Sequence, residues 1–205
     1  KPSFLFNTPD QSVGPQKVAL RYKAEDSPYE NDMIMVMRYN HDIGGVGALV
    51  ISVGIYLAES AGEMRLQSSN ITIQPYLDYD MLSTKSDLQR MREGVRLADK
   101  LAASPQFSSY IDGKVAPDQE TLDNDEALDQ WMLKNVMTMH HISGTCKMGT
   151  SNDAGAVVDQ FGKIYGVTGL RVADVSILPD CPRANTNIAA MTIGERVADF
   201  IKQGR

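Results

Sequence analysis

After Thr84, the apolar residues Leu88, Met91, Val95, Ala98, Leu101 and Ala102 recur at helical spacing. A stripe of this kind covers one side of a helix and must be buried against another element. Arg90, Arg92, Arg96 and Lys100 fall off the stripe and read as its solvated face. Thr84, with Asp87 three residues later, resembles a capping box with an acid in the usual Glu or Gln position. Ser104-Pro105 stops the helix. The surface it packs on has to come from upstream, where the pattern is different. Lys17 to Tyr22 alternates, Asp32 to Tyr39 is dense in Met, Ile and Val, and Ala48 to Leu57 is a third apolar run; all three read as strands. Ala61 to Ser68 reads as a fourth strand, turning at Ser68-Ser69-Asn70. Short turns between the runs, including 24–31 with Ser27-Pro28, favour an antiparallel sheet. The expected fold class is therefore α+β, an antiparallel sheet with flanking helices.

On the strand reading, Met33, Met35 and Met37 share one face. Such a stripe is most simply a plastic core; if the sheet roofs a substrate cavity, it makes a soft apolar wall. Lys1 to about Gln16 reads as an entry loop. Gly44-Gly45-Val46-Gly47 is a weak echo of a dinucleotide-binding loop: Val50 stands where the third glycine should be, and a strand rather than a helix follows. It reads as a loop between strands. A second helix is expected from about Asn124 to Val136, with Asp123 as its cap and Leu128, Trp131 and Met132 on its apolar side.

A formal net charge of −6, with no basic block, argues against nucleic-acid or anionic-membrane partners. The longest apolar run, Ala48 to Ala58, is far short of the roughly 20 residues that a membrane span needs. Cys146 and Cys181 are too few for a disulfide scaffold; they read as free thiols in a reducing compartment, the cytoplasm being slightly favoured, or as one disulfide. The opening Lys1-Pro2-Ser3, with neither an initiator Met nor a signal peptide, reads as the start of a fragment, a processed chain or a split subunit.

The chemistry gathers after Met139. His140 and His141 precede Ser143-Gly144-Thr145, and a loop histidine beside a glycine turn can approach a substrate. An imidazole, with an ordinary pKa of about 6.5, can take or give a proton at neutral pH. A pair of structural histidines bonded to backbone is an equally simple reading. No metal is expected, because His41 is distant in sequence and adjacent histidines do not readily face one ion. Val167 to Asp174 reads as a turn and a strand ending in an acid, the place where ligands collect in open α/β sheets. Asn185 or Thr186 then caps a strong helix running from Ile188 to about Ile201, whose N-terminus offers open N–H groups and a partial positive charge.

The order H-x-x-G-T-C-K-M-G at His141 to Gly149, V-V-D at Val157 to Asp159, G-x-x-G-L-R-V-x-D-x-S-x-x-P at Gly166 to Pro179, and N-T-N with a G-E-R-x-A-D-x-I helix at Asn185 to Ile201 resembles the C-terminal region of the glucose–methanol–choline (GMC) family of FAD-dependent oxidoreductases. Gly62 to Leu66 and Arg92-Glu93-Gly94-Val95 are similar to the family's substrate domain. The resemblance implies a substrate-binding domain at 1–138 and a catalytic segment at 139–205, whose last strand and helix complete an α/β FAD-binding domain. It implies that His141 draws the proton from a substrate hydroxyl, and that Asn185, which cannot act as a base, orients the substrate oxygen. It places Asp174, Val175, Thr186 and Asn187 against FAD, and sets His140 facing elsewhere. Ile142 stands where the family often has Pro. The family's N-terminal Rossmann portion is not in this sequence, so the expected partners are an FAD-binding chain or domain and a small alcohol or sugar. The alternatives are a hydroxynitrile-lyase-type enzyme on the same scaffold and a non-catalytic binding module.

Overall fold

In a computed structural model of the chain, residues 3–7, 18–43, 46–108, 111 and 113–205 are described. Two units emerge. The first comprises Lys1–Ala61 and Asp80–Met137; the second comprises Gly62–Tyr79 and Thr138–Arg205.

The first unit is built on a five-stranded sheet, with β1 at Ser3–Asn7, β2 at Val18–Tyr22, β3 at Met33–Ile43 and β4 at Val46–Ile55. Its fifth strand is β7, Gly113–Ala116. The order is β2-β3-β4-β1-β7, and every neighbouring pair is antiparallel. Part of the expected entry loop is thus the strand β1; the rest of it, and Gly44 and Gly45, lie outside the described residues. The glycine-bearing connection joins two antiparallel strands, as expected of a loop within a sheet. Register explains the Met stripe: Met33 pairs with Ile55, Met35 with Val53 and Met37 with Ile51. Paired residues in an antiparallel ladder point to the same face. Met33, Met35, Ile51 and Val53 are buried there, so the stripe is core and not a cavity wall.

Helix α1, Lys85–Ala102, covers that face with Met91, Val95, Ala98 and Ala102. It can approach closely because residue 94 is glycine: a Cβ there would lie 2.6 Å from Val53 Cγ1 and 3.0 Å from Met33 Cε. Short helices α2, Pro105–Ser108, and α3, Gln119–Asp123, lead to α4, Asp125–Asn135, which adds Leu128 and Met132 to the core. The cap of α4 is Asn124, whose side chain accepts from the Ala127 N–H, and not Asp123, which closes α3.

Two expectations about α1 are corrected. Thr84 does cap the helix, accepting from the Asp87 N–H at 3.1 Å, but Asp87 does not complete a capping box. Its carboxylate accepts instead from the Ser60 N–H at 2.8 Å, the Ser60 hydroxyl at 2.5 Å, the Glu59 N–H at 3.2 Å and the Arg90 guanidinium. Arg90 is not solvated either: its side chain is 3% exposed. It bridges Asp87 and Asp32, and donates to the carbonyls of Tyr56 and Leu57. These acceptors meet the two terminal nitrogens and offset much of the lost hydration, while Nε meets no partner among the described residues. Burial alone would raise the carboxyl pKa values of Asp32 and Asp87. Hydrogen bonds from Ser27, the Ala24 N–H and Arg90 outweigh it at Asp32, and those from Ser60, Glu59 and Arg90 at Asp87, so both are held below the ordinary range. Arg92 and Arg96 do lie at the surface side, where they pair with Asp125.

The second unit holds little regular structure. The expected fourth strand is only β5, Glu63–Arg65, which pairs with β6, Tyr76–Asp78, in a separate two-stranded ribbon. The expected strand at 167–174 is absent: this run makes a single bridge, Arg171 to Lys163, and the Val172 N–H donates to Gly162 O. Its strand-forming residues find turns rather than a ladder to join. A single 3-10 turn at Val175–Ile177 follows, and helix α5, Asn187–Lys202, ends the unit. No helix among the described residues is long and apolar enough to cross a membrane.

Candidate functional site

His141 lies in the second unit, on a segment tied down just beyond it. The Gly144 N–H donates to Val175 O at 3.3 Å, Cys146 N–H to Ser176 O at 2.9 Å and Met148 N–H to Ile177 O at 2.9 Å. This ladder pins the G-T-C-K-M run alongside the 3-10 turn. Gly144 has φ of +81°, a conformation that favours glycine. Asp174 caps the turn: its carboxylate accepts from the Ser176 N–H at 2.8 Å. The V-V-D segment is framework as well. Val158 is buried and bridges both Met148 and Ile164, and Asp159 Oδ1 accepts from the Phe161 and Lys163 N–H groups. Much of the sequence motif therefore builds the support and not the chemistry.

His140 is exposed with φ of +65°, and it turns the chain immediately before His141. The His141 ring is half-buried, and its Nδ1 lies 3.0 Å from Thr186 Oγ1 and 3.4 Å from the Thr186 backbone N. Residues separated by 45 positions thus meet at the N-terminus of α5. Thr186 is only 8% exposed. It sits at the cap position of α5 but has φ of −83° and ψ of −2°, and its side chain makes no cap hydrogen bond. Thr84, with ψ of 149°, is the contrast: an extended backbone lets its oxygen reach the helix. The Thr186 hydroxyl is turned to the imidazole and not to the helix. The sequence points Thr186 to the helix or to a cofactor; its contact with His141 is not legible there, because a cap preference is local and this partner is not.

The remaining sequence-derived candidates fall around this contact. Asn185 and Asn187 flank Thr186 and are exposed. Asp174 is exposed and Val175 half-buried, on the turn that holds the His141 segment. The first turn of α5 carries no acidic side chain, and a helix N-terminus has a partial positive charge. Exposed Ile188 and Met191 give it an apolar side. A flat apolar ring system with a negatively charged edge fits such an end. Cys146 and Cys181 are both free thiols. Among the described residues, no three His, Cys, Asp or Glu side chains gather as a metal site.

Comparison with known proteins adds an independent line. Residues 58–194 match the family model described as GMC oxidoreductase. A 5-(hydroxymethyl)furfural oxidase from Methylovorus sp. (strain MP688) is 37% identical over 69% of this chain; the matched part is 29% of that protein, so the chain spans less than a third of its length. The pyridoxine 4-oxidase from Mesorbium loti superposes over 98% of this chain and 41% of its own, with a TM-score of 0.83 at 19% identity, a likeness of fold. An FAD-dependent oxidoreductase from Chaetomium thermophilum covers 87% of this chain and 29% of its own, with a TM-score of 0.70 at 27% identity.

Proposed function

The chain belongs to the GMC oxidoreductase family, and on that premise we propose that it is the C-terminal, substrate-side part of an FAD-dependent oxidoreductase acting on CH–OH donors. Residues 1–138 provide the substrate-binding domain. Residues 139–205 provide the catalytic segment and complete an FAD-binding domain whose pyrophosphate-binding portion lies outside this sequence. The observation that carries the reading is the meeting of His141 and Thr186 at the N-terminus of α5. It brings the one half-buried histidine of the motif to a helix end whose charge suits a flavin.

His141 takes the proton of the substrate hydroxyl. Asn185 offers amide groups that orient the substrate oxygen but cannot serve as a base. Thr186, Asn187, Asp174 and Val175 hold the flavin, largely through backbone groups. When bound, the flavin supplies the acceptor for the hydride that leaves the substrate carbon. The 5-(hydroxymethyl)furfural oxidase supports oxidation over a lyase reaction, and a primary alcohol on a small ring is a fitting first substrate class.

In the full-length, flavin-loaded protein, His141→Ala is expected to slow anaerobic flavin reduction by an alcohol roughly 10²–10⁴-fold, the range for a lost general base. Near-normal reduction in that variant removes His141 from the reaction. A wild-type flavin that no alcohol bleaches removes the oxidation itself.

A further inference from the structure

Thr186 offers two groups to one ring nitrogen of His141, and they are not equivalent. Its backbone N–H, 3.4 Å from Nδ1, can only donate. Its hydroxyl, 3.0 Å from Nδ1, can donate or accept. An imidazole that takes a proton on Nε2 must carry its own hydrogen on Nδ1. Of the two Thr186 groups, only the hydroxyl oxygen can receive that hydrogen. If the hydroxyl is removed, the N–H alone faces Nδ1. It then favours the opposite tautomer, with the hydrogen on Nε2 and no lone pair there for a substrate proton. The burial of Thr186 leaves little room for water to replace the lost acceptor.

We propose that Thr186 is a positioning residue for His141: its hydroxyl accepts the Nδ1 hydrogen and so keeps Nε2 bare for the substrate proton. This inference rests on the reading of His141 as the base. In the step, the substrate O–H bond breaks and an Nε2–H bond forms. The ring becomes a cation with hydrogens on both nitrogens, and its Nδ1–H still donates to Thr186 Oγ1. The carbon loses a hydride to the flavin, which is the oxidant, and a carbonyl product remains. The role is separate from any contact that the Thr186 backbone makes with the flavin.

The test uses the full-length, flavin-loaded protein with ¹⁵N-labelled histidine rings, the His141 signals being assigned from the His141→Ala variant. In the neutral wild-type ring, Nδ1 is expected as the hydrogen-bearing nitrogen and Nε2 as the bare one. Thr186→Val, which keeps the shape and the N–H, is expected to reverse them. It should also slow anaerobic flavin reduction roughly 10²-fold, the lower end of the range for a lost general base, with little change in KM. Thr186→Ser is expected to restore both tautomer and rate to within several-fold of wild type. A wild-type ring with its hydrogen on Nε2 overturns the proposal, and because it needs no variant of Thr186 it does so even if Thr186→Val fails to fold. A Val variant that keeps the Nδ1 hydrogen, or a Ser variant that restores neither property, overturns it too. An unaffected rate in His141→Ala defeats the base assignment instead, while the tautomer measurement speaks to Thr186 alone.

Discussion

Helices α1 and α5 are of similar length, but they are stabilised differently. Helix α1 buries Asp87, Arg90, Met91, Gly94, Val95, Ala98 and Ala102 within its own unit. In α5 only Val197 is buried, while Ile188 is 68% exposed and Met191 and Ile201 are exposed beside it. The first unit closes a side-chain core under regular ladders. The second is held by backbone: a short ladder from 144 to 148, Asx-type turns at Asp159 and Asp174, and glycines at positive φ. The lesson is that stability is stored in different places. In the first unit it lies in packed and paired side chains, and in the second in turns that only certain residues can make. An exposed apolar helix face on such a framework is, on the proposed function, the part that meets the flavin-bearing portion.

The sharpest way to break this comparison is at Arg90. Arg90→Met removes the guanidinium that Asp32 and Asp87 share and leaves two buried carboxylates without it. The expected loss is about 3–5 kcal/mol, as for a buried pair with one partner deleted. Amide hydrogen exchange should speed up across β3, β4 and α1 and stay unchanged in α5. Equal acceleration in α5 would show that the two units do not unfold separately. The acid limb gives a second readout. Both carboxyls have folded-state pKa values below their unfolded values, so their stabilisation is present above the unfolded value, about 3.9, and is lost as pH falls through the folded one. Without Arg90, acid unfolding of the first unit is expected to begin at a higher pH.

Legibility in the sequence divides along the same line. The strands β2, β3 and β4 and the helices α1, α4 and α5 were readable because each repeats a period over five or more residues. Strands β6 and β7, and helices α2 and α3, are too short to show one. The burial of Arg90 is hard to see in the sequence because charge favours exposure, although Asp87, Arg90, Gly94 and Ala98 lie on one line of the helix at i, i+3, i+7 and i+11. At Val167 to Asp174 the strand propensity was real, but propensity does not supply a pairing partner. In the candidate site, motif order is what nominates His141, Asn185 and the helix end. It does not show what holds His141 in place, because Thr186 takes a partner 45 residues away over its own helix.

In the second unit the comparison predicts that a backbone position matters more than a side chain. Gly162 has φ of +75°, and a Cβ there would lie 2.6 Å from Val172 O. Gly166 has φ of +77° with nothing within 4 Å. Gly166→Ala is expected to cost about 1 kcal/mol, the strain of the left-handed conformation alone. Gly162→Ala should cost more, about 1–3 kcal/mol, because the carbonyl must also move. Hydrogen exchange at the Val172 amide, which donates to Gly162 O, should report the difference. Equal costs at the two glycines would mean that the close approach to Val172 contributes nothing.

The smallest effect tests whether polar satisfaction governs the first unit everywhere or only at Arg90. The Tyr22 hydroxyl is buried and, among the described residues, meets no hydrogen-bond partner. Burial first, then the charges of Glu93 and Asp32, push its pKa well above the ordinary tyrosine value, so it stays a neutral phenol. A Cβ at position 94 would lie 2.8 Å from this oxygen, so the hydroxyl fills space under α1 without bonding there. Removing a buried polar group that has no partner releases its desolvation cost, but it also leaves a small gap. The two nearly cancel, and Tyr22→Phe is expected to change stability by less than about 1 kcal/mol, on the stabilising side. A loss of 2 kcal/mol or more in urea unfolding would mean that the hydroxyl bonds to something, such as a buried water, and that the core of the first unit is held by polar contacts beyond the Arg90 cluster.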